Sequence, residues 1–286
     1  MTDSFSRMGV LTDPYLTETQ VRSLSHAVSE ADVEIPLVVV NATDEPDYDP
    51  DLEAEAVNGG LGLGTARLFL DVLRRERAWG LVIAEKKLGE LAGSDAAASR
   101  QIPVEDVECL SEAEFRYVAP HMDGNWSELP SETVEEVRES CDVVVRYGFG
   151  LLKGEVLDAP EYGVLSFHPA DIRQYRGLGP PQAYLDGRQK MGVTLQRITE
   201  DIDGGELVAY AETDVSDCAT LWEIYDRLDD LQVELLTEGI RNLRDPSMEI
   251  TTPDSLGEYY STTSRRTPSF AGRILLKNIT GRLGLR

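Results

Sequence analysis

The feature that most constrains the fold is a set of short apolar runs that alternate with segments of helical periodicity. Residues 35–40 read IPLVVV and residues 142–147 read DVVVRY, so β-branched side chains occupy consecutive positions. Such runs are typical of strands buried on both faces. Further strands are predicted at 8–11, 81–84, 162–167, 191–198 and 205–215, and helices at 14–31 (capped by Asp13), 65–79, 131–141, 216–243 and 270–283. The alternation predicts an α/β fold, a mainly parallel sheet with helices on both faces.

Charge excludes one broad class of function. The 286 residues include 52 acids and 27 bases, which gives a formal net charge of -25. A general nucleic-acid binder needs basic surface to displace counterions, so this balance argues against one. Only five bases are lysines, and six residues are phenylalanine. Acidic surfaces that are poor in lysine favour a protein adapted to concentrated salt, although an acidic mesophilic protein has the same composition.

The cysteines and the apolar runs bear on location. The three cysteines at 109, 141 and 218 form no CxxC pair, which fits a reducing cytoplasm. Acidic residues interrupt the first twenty positions, which argues against a signal peptide. No apolar run approaches the roughly 18 residues that span a membrane. The expected location is therefore cytoplasmic.

Only one of the three histidines is placed where chemistry is expected. His26 falls in a predicted helix and His121 in a polar loop, and no metal-ligand spacing joins them, so no metal site is predicted. His168 instead ends the strand in Gly-Val-Leu-Ser-Phe-His-Pro, and alternation puts Ser166 on the same face. Ligands of open α/β sheets bind beyond the carboxyl ends of strands. His168 is thus a candidate general base, or else a residue that only caps the strand end.

Two glycine-rich stretches could contact phosphate or a flat ligand. The stretch 147–153, Tyr-Gly-Phe-Gly-Leu-Leu-Lys, follows a strand but lacks the third glycine of a dinucleotide fingerprint. It fits a turn that admits a flat ligand equally well. The stretch 59–64 follows an acidic segment, 42–56, which is predicted to be a solvated loop, and is interpreted as a flexible connection to the next helix.

Several spaced motifs occur in one order between residues 141 and 209. They are the Ser-Phe-His-Pro strand end, Tyr-Arg-Gly at 175–177, Gly-Val-Thr at 192–194, and Asp-Gly-Gly-Glu at 203–206. This order resembles the formyltransferases that use formyl-tetrahydrofolate, over roughly residues 8–245. The resemblance implies a Rossmann-like catalytic domain at 1–245. The residues that remain, 246–286, are predicted to be a basic C-terminal extension. It also implies 10-formyltetrahydrofolate as the formyl donor, and no metal.

The resemblance assigns roles to individual residues. His168 and Asp203 match the family's catalytic histidine and aspartate, whereas Ser166 stands where the family has a catalytic asparagine. In the family, the asparagine amide and the histidine stabilise the negative charge that gathers on the formyl oxygen, whereas the aspartate orients or charges the histidine and helps to remove the amine's proton. The implied pterin pocket is lined by Phe149, Gly150, Leu151, Leu152, Thr199 and Ile202. Tyr175, Arg176 and Gly177 belong to the loop that is expected to face the amine acceptor.

The acceptor is left open by the motifs. Methionyl-tRNA formyltransferases carry a C-terminal β domain, and the 41 residues after position 245 are too short for one. With the acidic body, this favours a small amine, above all a nucleotide-linked amino sugar. The alternatives are a methionyl-tRNA formyltransferase-like enzyme, a glycinamide-ribonucleotide acceptor, formyl-folate hydrolysis, or a catalytically weak or inactive binding protein marked by Ser166.

The C-terminal extension has its own charge pattern. Residues 261–286 contain six bases and no acid, in a chain that is otherwise near -31. These bases could fold back onto the acidic body, with little energy in each pair. Arg265, Arg266, Arg273 and Lys277 could instead bind a sugar diphosphate or an anionic membrane. In the membrane case Ile274, Leu275, Leu276 and Ile279 would insert.

Overall fold

The computed structural model describes residues 5–43, 46, 48–59, 62–91 and 100–285. The strands are β1 Met8–Thr12, β2 Tyr15–Thr17, β3 Leu37–Asn41, β4 Gln101–Pro103, β5 Glu114–Val118, β6 His121–Asp123, β7 Trp126–Glu128, β8 Val143–Arg146, β9 Leu151–Lys153, β10 Val164–His168, β11 Tyr175–Gly177, β12 Lys190–Arg197, β13 Glu206–Asp214 and β14 Glu258–Tyr260. The helices are α1 Glu18–Glu30, α2 Pro50–Val57, α3 Leu63–Glu76, α4 Trp79–Leu91, α5 Ser131–Ser140, α6 Gly179–Leu185, α7 Leu221–Arg244 and α8 Pro268–Arg282.

The centre of the molecule is a seven-stranded sheet with the order β13-β12-β10-β8-β1-β3-β5. Neighbours from β5 to β10 are parallel, whereas β12 pairs antiparallel with both β10 and β13. Alternate residues of β3 enter different cores. Val38 and Val40 belong to the core that also contains side chains of α1 and α7, while Leu37 and Val39 belong to the core that also contains side chains of α5. The expected mainly parallel α/β sheet, covered on both faces, is confirmed.

Two expected elements are wrong at the N-terminal half. The helix expected from Pro14 begins at Glu18, because Tyr15–Thr17 is a strand paired with Gln101–Pro103. Thr17 caps this helix: its Oγ1 accepts from the Gln20 amide at 3.2 Å, and the Gln20 side chain accepts from the Thr17 amide at 2.8 Å. The strand expected at 81–84 lies inside helix Trp79–Leu91. A short apolar run is ambiguous, and the helix-forming residues after it favour the helix.

The acidic segment 42–56 is only partly a loop. Pro50–Val57 forms a helix, whose N-terminus the Asp49 side chain caps at 3.0 and 3.2 Å. Residues 44, 45 and 47 of that segment lie outside the described residues, as do residues 60 and 61 of the glycine-rich stretch at 59–64.

The C-terminal residues 246–286 add a strand and a helix to the body. β14 pairs with β11 in parallel, so Gly177 lies opposite Tyr260. A Cβ at Gly177, where φ is +69°, would lie 2.3 Å from the Tyr260 carbonyl oxygen. Glycine therefore allows the C-terminal segment to pass directly beside the loop that follows His168.

Helix α8 packs by both apolar and ionic contacts. Ile274 is fully buried, so the alternative in which it inserts into a membrane is wrong for this residue, whereas Leu276 and Ile279 are exposed. Arg265 and Arg266 both bind the buried carboxylate of Glu76 at 3.0 Å, and Arg282 binds Glu85 at 3.0 Å. The structure thus folds most of these bases back onto the acidic body. No described helix is long and apolar enough to cross a bilayer.

Candidate active site

The candidate catalytic residues meet where the turn of the antiparallel β12–β13 hairpin approaches the carboxyl end of β10. His168 closes β10, and Asp203 lies in the turn between β12 and β13. His168 Nδ1 lies 3.3 Å from Asp203 Oδ1, and His168 Nε2 lies 3.0 Å from the Tyr175 carbonyl oxygen. The structure thus places these two side chains, which the resemblance assigns as catalytic, within hydrogen-bond reach of each other.

The Asp203 carboxylate is surrounded by donors. Its Oδ2 accepts from the Gly177 amide at 2.7 Å, and the side chains of His168 and Gln196 also bind it. Burial alone would raise the pKa of Asp203, but these hydrogen bonds and the His168 charge outweigh burial and hold that pKa below its usual value. An ionised Asp203 can therefore orient His168 and stabilise its protonated form.

Ser166 is buried on the same face of β10 as His168. Its Oγ accepts a hydrogen bond from Arg146 Nη2 at 2.8 Å. The register places Ser166 directly opposite Arg146 on β8. Sequence reasoning missed Arg146 and Gln196. The signal for Arg146 was a charged residue that closes an otherwise apolar strand.

The loop expected to bind the pterin begins directly after Arg146. Phe149 is buried, and its amide donates to Asp13 Oδ1 at 3.2 Å. Phe149 and Gly150 have φ values of +66° and +59°, and a Cβ at Gly150 would meet no atom within 4 Å. Leu151 is half-buried and Leu152 is buried. The turn thus presents backbone and open space, which a flat ring system can use.

The second segment expected to contact the pterin is the turn before Asp203. Thr199 is exposed, and its Oγ1 accepts from the Asp201 amide at 3.3 Å. Ile202 is half-buried, and its carbonyl accepts a long, 3.5 Å hydrogen bond from Arg176 Nη1. This bond ties the turn to the loop that follows His168.

The loop expected to face the acceptor uses most of its polar groups within the protein. Tyr175 is buried, and its hydroxyl lies 2.9 Å from both Asp186 Oδ2 and Arg188 Nε. Arg176 Nε donates to the Gly257 carbonyl at 2.9 Å. A cavity of about 260 Å³ lies beside this loop. Its lining combines tyrosines with charges of both signs and includes Asp171, Tyr175, Arg188, Lys190, Tyr210 and Glu212.

The two remaining histidines lie away from these residues. His26 Nδ1 lies 2.7 Å from Thr237 Oγ1, which joins α1 to α7. His121 is exposed on β6. Within the described ranges, no group of three or more His, Cys, Asp or Glu side chains is arranged to hold a metal ion.

Known proteins that resemble this chain in sequence are formyltransferases. A family model described as "Formyl transferase" matches residues 73–240. Methionyl-tRNA formyltransferase of Fusobacterium nucleatum is 32% identical over 114 residues, which are 39% of this chain and 37% of that protein. The chain spans less than half the length of the first curated relatives that it matches.

Solved structures share the fold. Glycinamide ribonucleotide transformylase 1 of Symbiobacterium toebii superposes with a TM-score of 0.53 at 15% identity, over 88% of this chain and 96% of that one. A sugar N-formyltransferase of a Shewanella species gives 0.53 at 12% identity, over 91% and 78% of the two chains. At these identities the likeness concerns the fold alone.

Proposed function

The chain belongs to the formyl transferase family, because the family model matches more than half of the residues of the chain. From this premise we propose that the protein transfers a formyl group from 10-formyltetrahydrofolate to an amino sugar. The observation that carries the proposal is the contact between His168 and Asp203 at the end of the sheet. A general base oriented by an ionised carboxylate is the arrangement that amine activation needs.

The reaction follows from these groups. The acceptor nitrogen attacks the formyl carbon, a new C–N bond forms, and the carbonyl electron pair moves to oxygen. Asp203 holds Nδ1 of His168, and Nε2 faces the Tyr175 carbonyl oxygen, so Nε2 must first release that carbonyl. It can then take a proton from the attacking amine and return one to the folate nitrogen as its C–N bond breaks. Donors around the formyl oxygen lower the barrier, because they act where charge develops.

The donor site is assigned to the two segments on either side of His168. Phe149, Gly150, Leu151 and Leu152 form one wall, and the turn that contains Thr199 and Ile202 forms the other. The open space beside Gly150 supports this assignment, since a flat pterin needs backbone contacts and apolar walls.

The acceptor is assigned by charge. A net charge of -25 opposes a polyanionic tRNA, and Arg265, Arg266 and Arg282 are engaged by Glu76 and Glu85. A small amine, such as an amino sugar linked to a nucleotide, carries only the charge of its diphosphate and therefore meets much less of this repulsion. Tyr175, Arg176 and Gly177 are proposed to contact it. Methionyl-tRNA is the second candidate, because the curated relatives at about 30% identity carry that name.

The test is a competition between acceptors. The protein is incubated in molar KCl with isotopically labelled 10-formyltetrahydrofolate and either nucleotide-linked amino sugars, glycinamide ribonucleotide or methionyl-tRNA. Mass spectrometry then follows the label. We expect a labelled amino sugar with the parent protein and no product with His168→Ala. Labelled tRNA would replace the amino-sugar proposal, free labelled formate alone would indicate hydrolysis, and no release of label would indicate a binding protein.

The cytoplasm is the proposed location, because Cys109, Cys141 and Cys218 are all free thiols in the structure. Contact of the C-terminal helix with a membrane stays a prediction. Co-sedimentation with anionic vesicles tests it, and Leu276→Ser combined with Ile279→Ser should abolish any binding, because these two side chains are exposed.

A further inference from the structure

The guanidinium of Arg146 lies inside the site, beside the hydroxyl of Ser166. Both residues are at the carboxyl ends of adjacent parallel strands, and the register places them directly opposite each other. Arg146 Nη2 donates to Ser166 Oγ at 2.8 Å. Arg146 Nη1 donates to the Gly150 carbonyl and, at 3.4 Å, to the Gly148 carbonyl. One cation therefore connects Ser166 to the loop proposed to bind the pterin.

One nitrogen of this guanidinium lacks a hydrogen-bond partner among the described residues. Arg146 Nε is buried and makes no hydrogen bond in the described part of the chain. An unsatisfied buried donor costs about 1–3 kcal/mol, and such groups concentrate where a protein uses them. Burial lowers the pKa of Arg146, and the nearby carboxylates of Asp203 and Asp13 oppose that shift. The charge thus belongs to the electrostatic surroundings of the His168–Asp203 pair.

The direction of the Arg146–Ser166 hydrogen bond determines what Ser166 can do. A guanidinium only donates, so Ser166 Oγ is the acceptor, and its own proton is left for another partner. Hydrogen bonds that involve a charged group are roughly twice as strong as neutral ones. Accepting from a cation also polarises the serine hydroxyl and makes it a better donor. Ser166 shares its face of β10 with His168.

We propose that Arg146 is a positioning residue that holds and polarises the Ser166 hydroxyl so that Ser166 donates to the formyl oxygen during transfer. The inference rests on the proposed function, since it concerns the same reaction. As the amine attacks, the C=O electron pair moves to the formyl oxygen, and this oxygen accepts the hydrogen bond from Ser166. When the folate C–N bond breaks, the electron pair returns to re-form C=O, and the hydrogen bond from Ser166 weakens. Arg146 and Ser166 keep their protons throughout.

The competing explanation is structural. Arg146 could do no more than hold the loop at Gly148 and Gly150 in place. In that case its loss would weaken donor binding and leave the turnover of bound donor unchanged. A role in stabilising the oxyanion would lower kcat and leave donor affinity nearly unchanged, because that bond matters mainly in the transition state.

The experiment compares Arg146→Gln with Arg146→Lys. Both variants keep a long polar side chain, so both should fold, but only lysine keeps the charge. We measure kcat for formyl transfer and for hydrolysis of 10-formyltetrahydrofolate, since both reactions build charge on the same oxygen. We also measure the Kd of tetrahydrofolate. Arg22→Gln is the matched control, because it removes one arginine charge from the exposed surface.

The expected result is that Arg146→Gln lowers kcat about 100-fold. The Kd of tetrahydrofolate should change less than about threefold. Arg146→Lys should retain most of the activity, and Arg22→Gln all of it. Ser166→Ala should lower kcat as much as Arg146→Gln, and the double variant should be no slower than either single one, because the two residues act as a unit. Ser166→Asn should restore activity to Arg146→Gln, since an amide donates without the cation.

Four outcomes would overturn the inference. Unchanged kcat in Arg146→Gln would remove the electrostatic role, and weakened donor binding with normal kcat would leave only the loop contact. Additive losses in the double variant would show that the two residues act separately. If the parent protein neither transfers nor hydrolyses the formyl group, the proposed function is wrong, and this inference is wrong with it. That result is seen with the parent protein alone, so it is distinct from the three results with variants.

Discussion

Asp203 adopts a backbone conformation that few residues other than glycine accept. Its φ is +49°, in the left-handed region where aspartate and asparagine are enriched. This conformation turns one carboxylate oxygen toward His168 and the other toward the Gly177 amide. The strained backbone of Asp203 therefore orients its own carboxylate toward His168.

Asp203→Asn separates charge from shape. Asparagine tolerates the same φ and has nearly the same volume, so the thermal midpoint should change little. The neutral amide cannot stabilise protonated His168, and kcat should fall about 10²–10⁴-fold. Steady-state kinetics with a saturating donor measure this loss. A kcat within a few-fold of the parent's would rule out an electrostatic role for Asp203, and Asp201→Asn, at an exposed position of the same turn, is the control.

At the scale of helices and strands, the sequence predicts the elements that a short-range residue pattern determines. The buried strands at 37–41 and 143–146 were predictable because their side chains alternate between two apolar cores. The start of helix α1 was not, because residues 15–17 pair with residues 101–103, far along the chain. The assignment of His168 and Asp203 to one site followed from motif order, through the resemblance to formyltransferases. The hydrogen bond from Arg146 to Ser166 depends on register and side-chain rotamer, which the sequence does not encode locally.

Helix α8 contains two glycines that test its docking. An ideal Cβ at Gly281 would lie 1.8 Å from the Ala219 carbonyl oxygen, whereas a Cβ at Gly272 would meet nothing within 4 Å. Gly272→Ala should stabilise the protein by about 0.5–1 kcal/mol through helix propensity alone. Gly281→Ala should destabilise it by about 1–3 kcal/mol, because the helix must shift. Urea unfolding measures both variants, and equal effects would show that α8 does not dock where the structure places it.

Helix α7 carries a carboxyl group with an unusual titration. Burial and the neighbouring Asp226 raise the pKa of Asp229 to about 7. In the unfolded chain the group loses its proton near pH 4, so the unfolded state binds fewer protons between about pH 4 and 7. Stability contributed by protonated Asp229 is therefore lost as the pH rises through about 7.

Asp229→Asn should remove this pH dependence. At pH 8 the variant should be more stable than the parent, by on the order of 2 kcal/mol, and the difference should shrink as the pH falls toward 5. Chemical unfolding at several pH values measures the difference between the two proteins. Glu238→Gln, at an exposed position of the same helix, is the control and should show no such trend. A constant difference across pH would mean that Asp229 titrates normally.

At the scale of the whole molecule, arginine carries most of the positive charge and is used in specific contacts. Arg227 binds both carboxylate oxygens of Asp217 at 2.6 and 2.7 Å, and Arg7 Nη2 binds Asp142 at 2.6 Å. Such forked contacts suit arginine better than lysine. They leave the excess of acids over bases, 52 against 27, as net negative charge. Self-repulsion of that charge opposes the compact state at low ionic strength.

Salt should therefore stabilise this protein by screening. The Debye length falls from about 10 Å at 0.1 M to about 3 Å at 1 M, so most of the gain in urea midpoint should be complete by about 1 M KCl. Stabilisation by excluded solutes instead keeps rising with concentration and is also produced by sucrose. A variant with Glu234→Gln, Glu238→Gln and Asp254→Asn, all at exposed positions, should gain less from KCl and start from a higher midpoint. A midpoint that rises with sucrose as it does with KCl, and equally in the variant, would show that charge repulsion is not what the salt relieves.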